Sequence, residues 1–568
     1  MTPEIIAGLI ESITFNQLIS KQQVDERTFD FELQGRSIKW NVRLYFYLTF
    51  PFSLPLAQIL NEEYIGKMPH VNSKGTLCVE EGDSILVDYH SPSEIIETFL
   101  CQTLKTLERS SLRVFKGELY DELEGFIHGA DTINSFYRAG SSVEKLVLRI
   151  APSSNLLAPS DINPIALAKS TSDIPCGFSN TQALNKHQLV NIVHIPLSAP
   201  VVPSTTSESA SRFISELKQQ ISEENSKILI KLLGQNSKKQ RQFFVLVSMP
   251  RSSRERSEFI CQFKAKAPAL HPILTDSTDW QLKFFLLNRH NKEYLLERGG
   301  ANLSINNKTV AVVGCGSVGS EIAMLIAKSG VGAIKLIDDD LLDADNIYRH
   351  SLGGRYLNFS PSVKDRKVRK ISKVRALAKE IRVNIPHIHV EACQYSLSAH
   401  NVKSVMKGVD IVIVAIGNPS ISLLLNRSLK EHQFNNVIYC WNEPDGYGGH
   451  SVALNLDQVC LECVLYKKSS PSTSINLVEF GQAISKNLTG CAGVFTPFSY
   501  LDSTKTASAA AQQAITFLTS GKMEPKVTSW KGIDKGTLQT TNRFKSMALM
   551  EEISLSKNDE CICCDSNN

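Results

Sequence analysis

Between Lys308 and Gly319 the chain reads Lys-Thr-Val-Ala-Val-Val-Gly-Cys-Gly-Ser-Val-Gly. The apolar, β-branched run predicts a buried strand. Gly314-x-Gly316-x-x-Gly319 predicts a tight turn into a helix over Ser320 to Lys328. Glycines here let backbone N–H groups approach a phosphate at a helix N-terminus, where the dipole favours anions. A second strand, Ala333-Ile-Lys-Leu-Ile, ends in Asp338-Asp-Asp340. An acid at that distance suits a ribose hydroxyl. From about residue 276 to the end, strands, glycine turns and helices alternate, which argues for an α/β domain with a mostly parallel sheet covered on both faces. On glycines and acid alone, an NAD-dependent oxidoreductase is an open reading.

The residues after Asp340 shift that reading. Asn346 and Arg349 follow in Asp338-Asp-Asp-Leu-Leu-Asp-Ala-Asp-Asn-Ile-Tyr-Arg-His, and Lys373 lies in Ser-Lys-Val-Arg-Ala-Leu. A dehydrogenase does not need such a cluster beside its pyrophosphate. A triphosphate does, because Arg and Lys neutralise the β and γ groups while the α-phosphorus is attacked. The set Gly-x-Gly-x-x-Gly, Asp-x-Asp, Asn-x-x-Arg and Lys resembles the Rossmann-like adenylating domain, of ThiF/MoeB type, found in ubiquitin-activating enzymes and in bacterial activators of sulfur carriers. The resemblance covers roughly residues 285–568. It implies that ATP and Mg²⁺ serve to activate a C-terminal glycine carboxylate as an acyl-adenylate. It further implies that Asp338 holds the ribose and that Asn346, Arg349 and Lys373 contact phosphates. Arg289 would cross a dimer interface into the partner's site, so a homodimer through this domain is expected. Relatives commonly end the strand matching Val409-Asp-Ile-Val-Ile-Val with an Asp that helps hold Mg²⁺. Here Gly417 and Asn418 follow. Either another acid serves, or the metal leans on Asp340 and substrate oxygens, since Mg²⁺ needs only one or two protein carboxylates.

The 13 cysteines are odd in number and mostly isolated. That fits a reducing cytoplasm better than a disulfide framework. Cys460-Leu-Glu-Cys463 and Cys561-Ile-Cys-Cys564 stand apart. Two such pairs can close a tetrahedral thiolate site for Zn²⁺, with no open position and hence a structural role. Cys563 could replace Cys561 or Cys564. The adenylating family places zinc in the same way. His387-Ile-His389 has no acid at useful spacing and reads as strand. Cys491, in Leu488-Thr-Gly-Cys-Ala-Gly, is followed by a helix containing Ala507 to Ala514. The resemblance implies that its thiolate displaces AMP to form a thioester, a role suited to sulfur near neutral pH.

The first 130 residues predict an α+β domain. Ile5 to Ile19 has helical spacing, Thr28–Leu33 and Lys39–Leu48 alternate with period two, and Glu94 to Leu107 is helical again. Thr49-Phe-Pro-Phe-Ser-Leu-Pro precedes Pro69-His70-Val-Asn72-Ser-Lys-Gly75-Thr-Leu-Cys78. This looks like the ubiquitin-conjugating fold, with Val71 in place of a proline and a loop to the cysteine two residues shorter. The resemblance implies that Cys78 carries an acyl group, that Asn72 donates its amide to an oxyanion, and that His70 braces the loop.

Residues 131–275 carry no readable motif and are taken as a middle α/β linker domain. The expected boundaries are therefore 1–130, 131–275 and 276–568. A conjugating and an activating module in one chain resemble the fused enzyme of bacterial CBASS antiphage operons. In that family the middle region is a degenerate adenylation-like linker. The resemblance implies a relay from Cys491 to Cys78 and then to a target lysine. Its substrate would be a cGAS-like nucleotidyltransferase with a C-terminal Gly, or a ubiquitin-like protein, and the attachment would prime cyclic-oligonucleotide signalling. A sulfur-carrier adenylyltransferase and a non-catalytic scaffold remain as alternatives. The net charge of +4 over 568 residues argues for neither nucleic-acid nor membrane binding. The apolar stretch Tyr45–Leu60 is broken by Pro51, Pro55 and Gln58, and Met1-Thr-Pro-Glu does not open a signal peptide, so a cytoplasmic location is expected.

Overall fold

The computed structural model describes residues 1–65, 68–72, 74–79, 88–112, 124, 131–151, 163–174, 188–201, 210–234, 238–251, 256–275, 279–357, 370–385, 387–465, 475–488, 494–559 and 561–564. The chain divides into two compact units, Met1–Asn291 and Lys292–Asn568.

The first unit opens with a helix, Pro3–Ser12, that buries Ile6 and Ile10. The helical spacing read as far as Ile19 stops early, because Leu18 starts a strand that pairs with its successor. Strands β1 (Leu18–Gln23), β2 (Thr28–Gln34), β3 (Lys39–Tyr45), β4 (Leu56–Ile59) and β5 (Thr76–Leu77) form an antiparallel sheet in that order. Period-two alternation puts Phe29, Phe31 and Leu33 of β2 and Trp40, Val42 and Leu44 of β3 on one face. The helix Pro92–Ser111 covers that face with Ile96, Phe99, Leu100 and Leu107.

The middle of the chain differs from the expected α/β linker. Strands β6 (Asp131–Ser135), β7 (Glu144–Ala151), β8 (Asn163–Ala168), β9 (Gln188–Pro196), β10 (Gln240–Pro250), β11 (Arg256–Ala269) and β12 (Gln281–Arg289) close a mixed barrel, ordered β10-β11-β12-β6-β8-β7-β9. Alternate residues explain it. Phe244, Leu246, Ile260 and Phe285 fill the interior. Val245, Val247, Phe259 and Phe263 face outward, packed against Phe213, Ile214 and Leu217 of the helix Ala210–Gln219. Both faces are apolar, so the strands read as continuous hydrophobic runs. The boundary at 275 also moves. β12 pairs with β11 on one side and β6 on the other, and without it the barrel would be open.

The second unit is an eight-stranded sheet. Its strands are β13 (Thr309–Val313), β14 (Ala333–Ile337), β15 (His389–Cys393), β16 (Ile411–Val414), β17 (Asn436–Asn442), β18 (Gly448–Asn455), β21 (Lys526–Lys531) and β22 (Met550–Ser554), ordered β15-β14-β13-β16-β17-β18-β21-β22. The first five are parallel, and β18, β21 and β22 continue antiparallel. Val310 and Val312 face a core built with the helices Ser317–Lys328, Lys373–Asn384 and Tyr500–Ser520. Ala311 and Val313 face the opposite core, which includes Leu425 and Leu429 of the helix Pro419–Glu431. Helices therefore cover both faces, as the alternation of strand and helix predicts. Among the described residues no helix is long and apolar enough to cross a membrane.

Candidate functional site

The glycine loop at the C-terminal end of β13 is built on close approach. Gly314 has φ +85°, and a Cβ there would meet Ala415 O at 2.9 Å. A Cβ on Gly319 would lie 1.8 Å from Gly314 O. Two side chains then hold the turn at Cys315. Asp338 Oδ2 accepts from Cys315 N at 2.6 Å, while its Oδ1 accepts from Asp340 N at 2.8 Å. His350 Nε2 lies 2.8 Å from Cys315 O, and its Nδ1 accepts from Leu352 N at 3.0 Å. That pairing fits the neutral tautomer with its proton on Nε2. Burial lowers the His350 pKa to about 4, so the ring stays neutral. His350 was missed in the sequence although it follows Arg349 directly, because nothing in the string says that this ring turns inward.

The expected phosphate residues gather at the same edge of the sheet. Lys373 Nζ pairs with Asp340 Oδ2 at 2.7 Å, with the lysine side chain only 10% exposed. Asn346 Oδ1 accepts from Asp343 N at 3.1 Å, which leaves its amide as the donor side. Arg349 is half-buried. Its guanidinium lies 5.0 Å from the Phe498 ring centre, and Nη1 donates to Thr496 O at 3.4 Å. Burial lowers its pKa. Asn346 and Arg349 line a cleft of about 1100 Å³ together with Phe495, Phe498, Lys505 and Ile533. The short antiparallel strands β19 (Lys486–Asn487) and β20 (Val494–Phe495) border it, and Leu488 and Val494 line it. Cys491 lies outside the described residues.

Carboxylate oxygens of Asp338, Asp339 and Asp340 lie within 4.8 Å of one another. Both Asp338 oxygens are engaged with the loop. Asp339 and Asp340 are exposed and each has one oxygen in a bond, to Ser396 Oγ and Lys373 Nζ, so they are the acids able to turn toward a divalent cation. Gly417 has φ +72°. An aspartate there would be strained, because only glycine adopts that region freely. Asn418 instead caps the helix Pro419–Glu431 through Oδ1 to Ile421 N, 3.2 Å.

The cysteine pairs do converge. Sγ separations are 3.8 Å for Cys460–Cys463, 3.5 Å for Cys460–Cys561 and 3.7 Å for Cys463–Cys564. Zn–S bonds of about 2.3 Å in a tetrahedron require sulfurs about 3.8 Å apart, so the four thiols fit Zn²⁺. Cys563 is outside that group of four. Its Sγ lies 3.7 Å from Asn426 Nδ2 on the helix Pro419–Glu431. Burial pushes the Cys460 and Cys561 thiols up, a cost that a bound cation would remove.

In the first unit, Asn72 Oδ1 accepts from Lys74 N at 2.9 Å and Thr76 N at 3.0 Å. Cys78 N donates to His70 O at 2.9 Å. His70, with φ +62°, and Gly75, with φ +80°, bend the segment so that these residues share one loop. The Cys78 side chain is exposed.

Arg289 departs from expectation. It ends a barrel strand and belongs to the first unit rather than to the unit that carries the glycine loop. Its side chain is 11% exposed and ion-paired with Glu124, which also takes Arg251 at 3.1 Å. A guanidinium buried in this way is committed to its own barrel. His387, with φ +77°, lies in a turn, and only His389 enters β15.

Residues 292–563 match the ThiF family. This match lies within the C-terminal half of the chain, which is therefore similar to ThiF-family domains. The chain is 27% identical over 238 residues to the ATP-dependent ubiquitin transferase-like protein Cap2 of Escherichia coli, covering 39% of this chain and 36% of that one. Cap2 of Vibrio cholerae is 26% identical over 246 residues, covering 40% and 38%. The adenylyltransferase and sulfurtransferase UBA4 of Yarrowia lipolytica is 27% identical over 140 residues, covering 24% and 32%. The chain thus spans about a third of the length of the relatives it matches. Among solved structures, Escherichia coli MccB with MccA-N7isoASN aligns over 48% of this chain and 69% of its own, at 17% identity and TM-score 0.33. The region matching ThiF contains the glycine loop, the Asp340–Lys373 pair, Arg349, Cys460, Cys463 and Cys561, and Cys564 directly follows it.

Proposed function

We propose that this chain activates the C-terminal carboxylate of a protein with ATP and relays it through two thiols to a lysine. The observation that carries the reading is the edge of the ThiF domain, where Asp338 and His350 brace the glycine loop, Lys373 pairs with Asp340, and Asn346 and Arg349 line a cleft of about 1100 Å³. A carboxylate oxygen attacks the α-phosphorus of ATP and pyrophosphate leaves. Mg²⁺, held through Asp340 or Asp339, supplies charge neutralisation for the phosphates. The Cys491 thiolate attacks the acyl carbon and AMP leaves. The Cys78 thiolate takes the acyl group in turn, releasing Cys491. A lysine amine attacks last, Cys78 departs as thiolate, and the amine loses its proton. Flanking residues Leu488 and Val494 at the cleft support Cys491 as acceptor. The loop joining His70, Asn72 and Cys78 within an α+β layout supports the ubiquitin-conjugating reading.

Similarity to the two Cap2 proteins, named as ATP-dependent ubiquitin transferase-like, supports a ubiquitin-like transfer. The resemblance to the fused CBASS enzyme adds, as part of this proposal, a cGAS-like nucleotidyltransferase as the substrate. Similarity to UBA4 keeps sulfur-carrier adenylation as the second reading. In both, zinc in the Cys460–Cys463–Cys561–Cys564 cluster is structural, and a homodimer through the ThiF domain is the proposed assembly. The test incubates the protein with its partner and MgATP. A reductant-sensitive adduct should be absent in Cys491→Ala and should accumulate on Cys491 in Cys78→Ala. Identical isopeptide products from both variants would exclude the relay. No exchange of radiolabelled pyrophosphate into ATP would exclude adenylation altogether.

A further inference from the structure

The helix Lys373–Asn384 starts at the nucleotide edge, and the residue before it behaves oddly. Ser372 is 5% exposed, yet its Oγ has no hydrogen-bond partner among the described residues. A serine in that position ordinarily accepts from an N–H of the first helical turn. Ser499 and Thr541 do so in this chain, at 3.3 and 3.2 Å, but Ser372 does not. Lys373 N is taken by Asp340 O at 3.1 Å, while the Val374 and Arg375 N–H groups have no partner among the described residues. The start of the helix therefore offers an unmet hydroxyl, unmet N–H donors, the positive end of the dipole and the mostly buried Lys373 ammonium. Together these are the complement of a phosphate oxygen. Lys373 also acts electrostatically on Cys315 and His350, which places this cluster beside the glycine loop.

We propose that Ser372 is a phosphate-contacting residue that, with Lys373 and the unpaired N–H groups of the first helical turn, holds the pyrophosphate end of the nucleotide. This rests on the adenylation reading above. The Ser372 hydroxyl donates to a phosphate oxygen, and the neighbouring Asp340 exchanges its bond to Lys373 for the cation that accompanies the phosphates. The site thereby distinguishes a triphosphate or free pyrophosphate from AMP, which lacks that end.

The test is calorimetric titration of the full chain, with Mg²⁺, against inorganic pyrophosphate, ATP and AMP. Ser372→Ala should weaken pyrophosphate and ATP about tenfold, the worth of one hydrogen bond to a charged group, and leave AMP within about twofold. Ser372→Thr keeps the hydroxyl and should restore binding. Unchanged pyrophosphate affinity in Ser372→Ala, or an equal loss for AMP, overturns the proposal. Loss in both variants with a lowered melting temperature also counts against it, as a packing role. A wild-type chain that binds pyrophosphate through Ser372 but no adenine nucleotide would sink the adenylation reading and leave the phosphate subsite. One that binds neither overturns both.

Discussion

Individual side chains here do work that their type alone does not announce. His350 is held neutral at a pKa of about 4, and His194 and His271 at about 3, each by burial first. In the unfolded chain a histidine titrates near ~6.5. Between these values the unfolded state binds more protons, so the stabilisation is complete above about pH 6.5 and declines as the pH falls toward 4. Denaturant midpoints measured from pH 7.5 to 4 should therefore fall, and His350→Gln should make the decline of the second unit shallower. A flat profile would contradict the buried neutral rings. Asn72 has separable halves. Its oxygen holds the turn through Lys74 and Thr76, while its amide is the side available to an oxyanion. Asn72→Asp keeps the acceptor and loses the donor. Lysine transfer should drop about 100-fold with the Cys78 thioester still forming, read as an adduct that persists on non-reducing gels. Gly319→Ala should abolish nucleotide binding, because its Cβ would sit on Gly314 O. Nucleotide titration checks this.

Whole elements carry a second set of consequences. The segment Cys561–Cys564 meets Cys460 and Cys463 from about a hundred residues away in sequence, and the Arg427–Glu462 ion pair lies alongside. Stripping divalent metal with a strong chelator, or making Cys463→Ser, should lower the melting transition of the second unit by several degrees, since structural metal binding adds directly to folding free energy. Cys563→Ser should leave that transition unchanged. Equal loss from Cys563→Ser would reassign the ligand set. The period-two pattern of β2 and β3 and the glycine turn after β13 were readable because local spacing dictates them. The barrel was not. Its strands are apolar on both faces, so they resemble the buried strands of a parallel sheet, and closure depends on β12 pairing with β6 some 150 residues earlier.

At the level of the whole chain, each unit has its own apolar cores. Under the proposed relay, carrying both thiols on one chain would raise the concentration of one near the other. If the relay runs within one chain, conjugation per molecule should not change on dilution of the wild type. A mixture of Cys78→Ala and Cys491→Ala chains, which can only pass the acyl group between molecules, should lose product as it is diluted. Rates followed across a hundredfold dilution separate the two cases.

The string of residues was enough to specify the ThiF domain's glycine loop, its acids and cations, the two cysteine pairs and the Asn72–Cys78 loop. In each, chemistry demands particular residue types at short fixed spacing. Folding alone assigned Arg289 to a buried pair with Glu124, set Cys563 apart from the other four thiols, turned His350 under the glycine loop and left Ser372 without a partner among the described residues. Those outcomes depend on which distant segments meet and how much water they exclude, and neither quantity is written in local sequence.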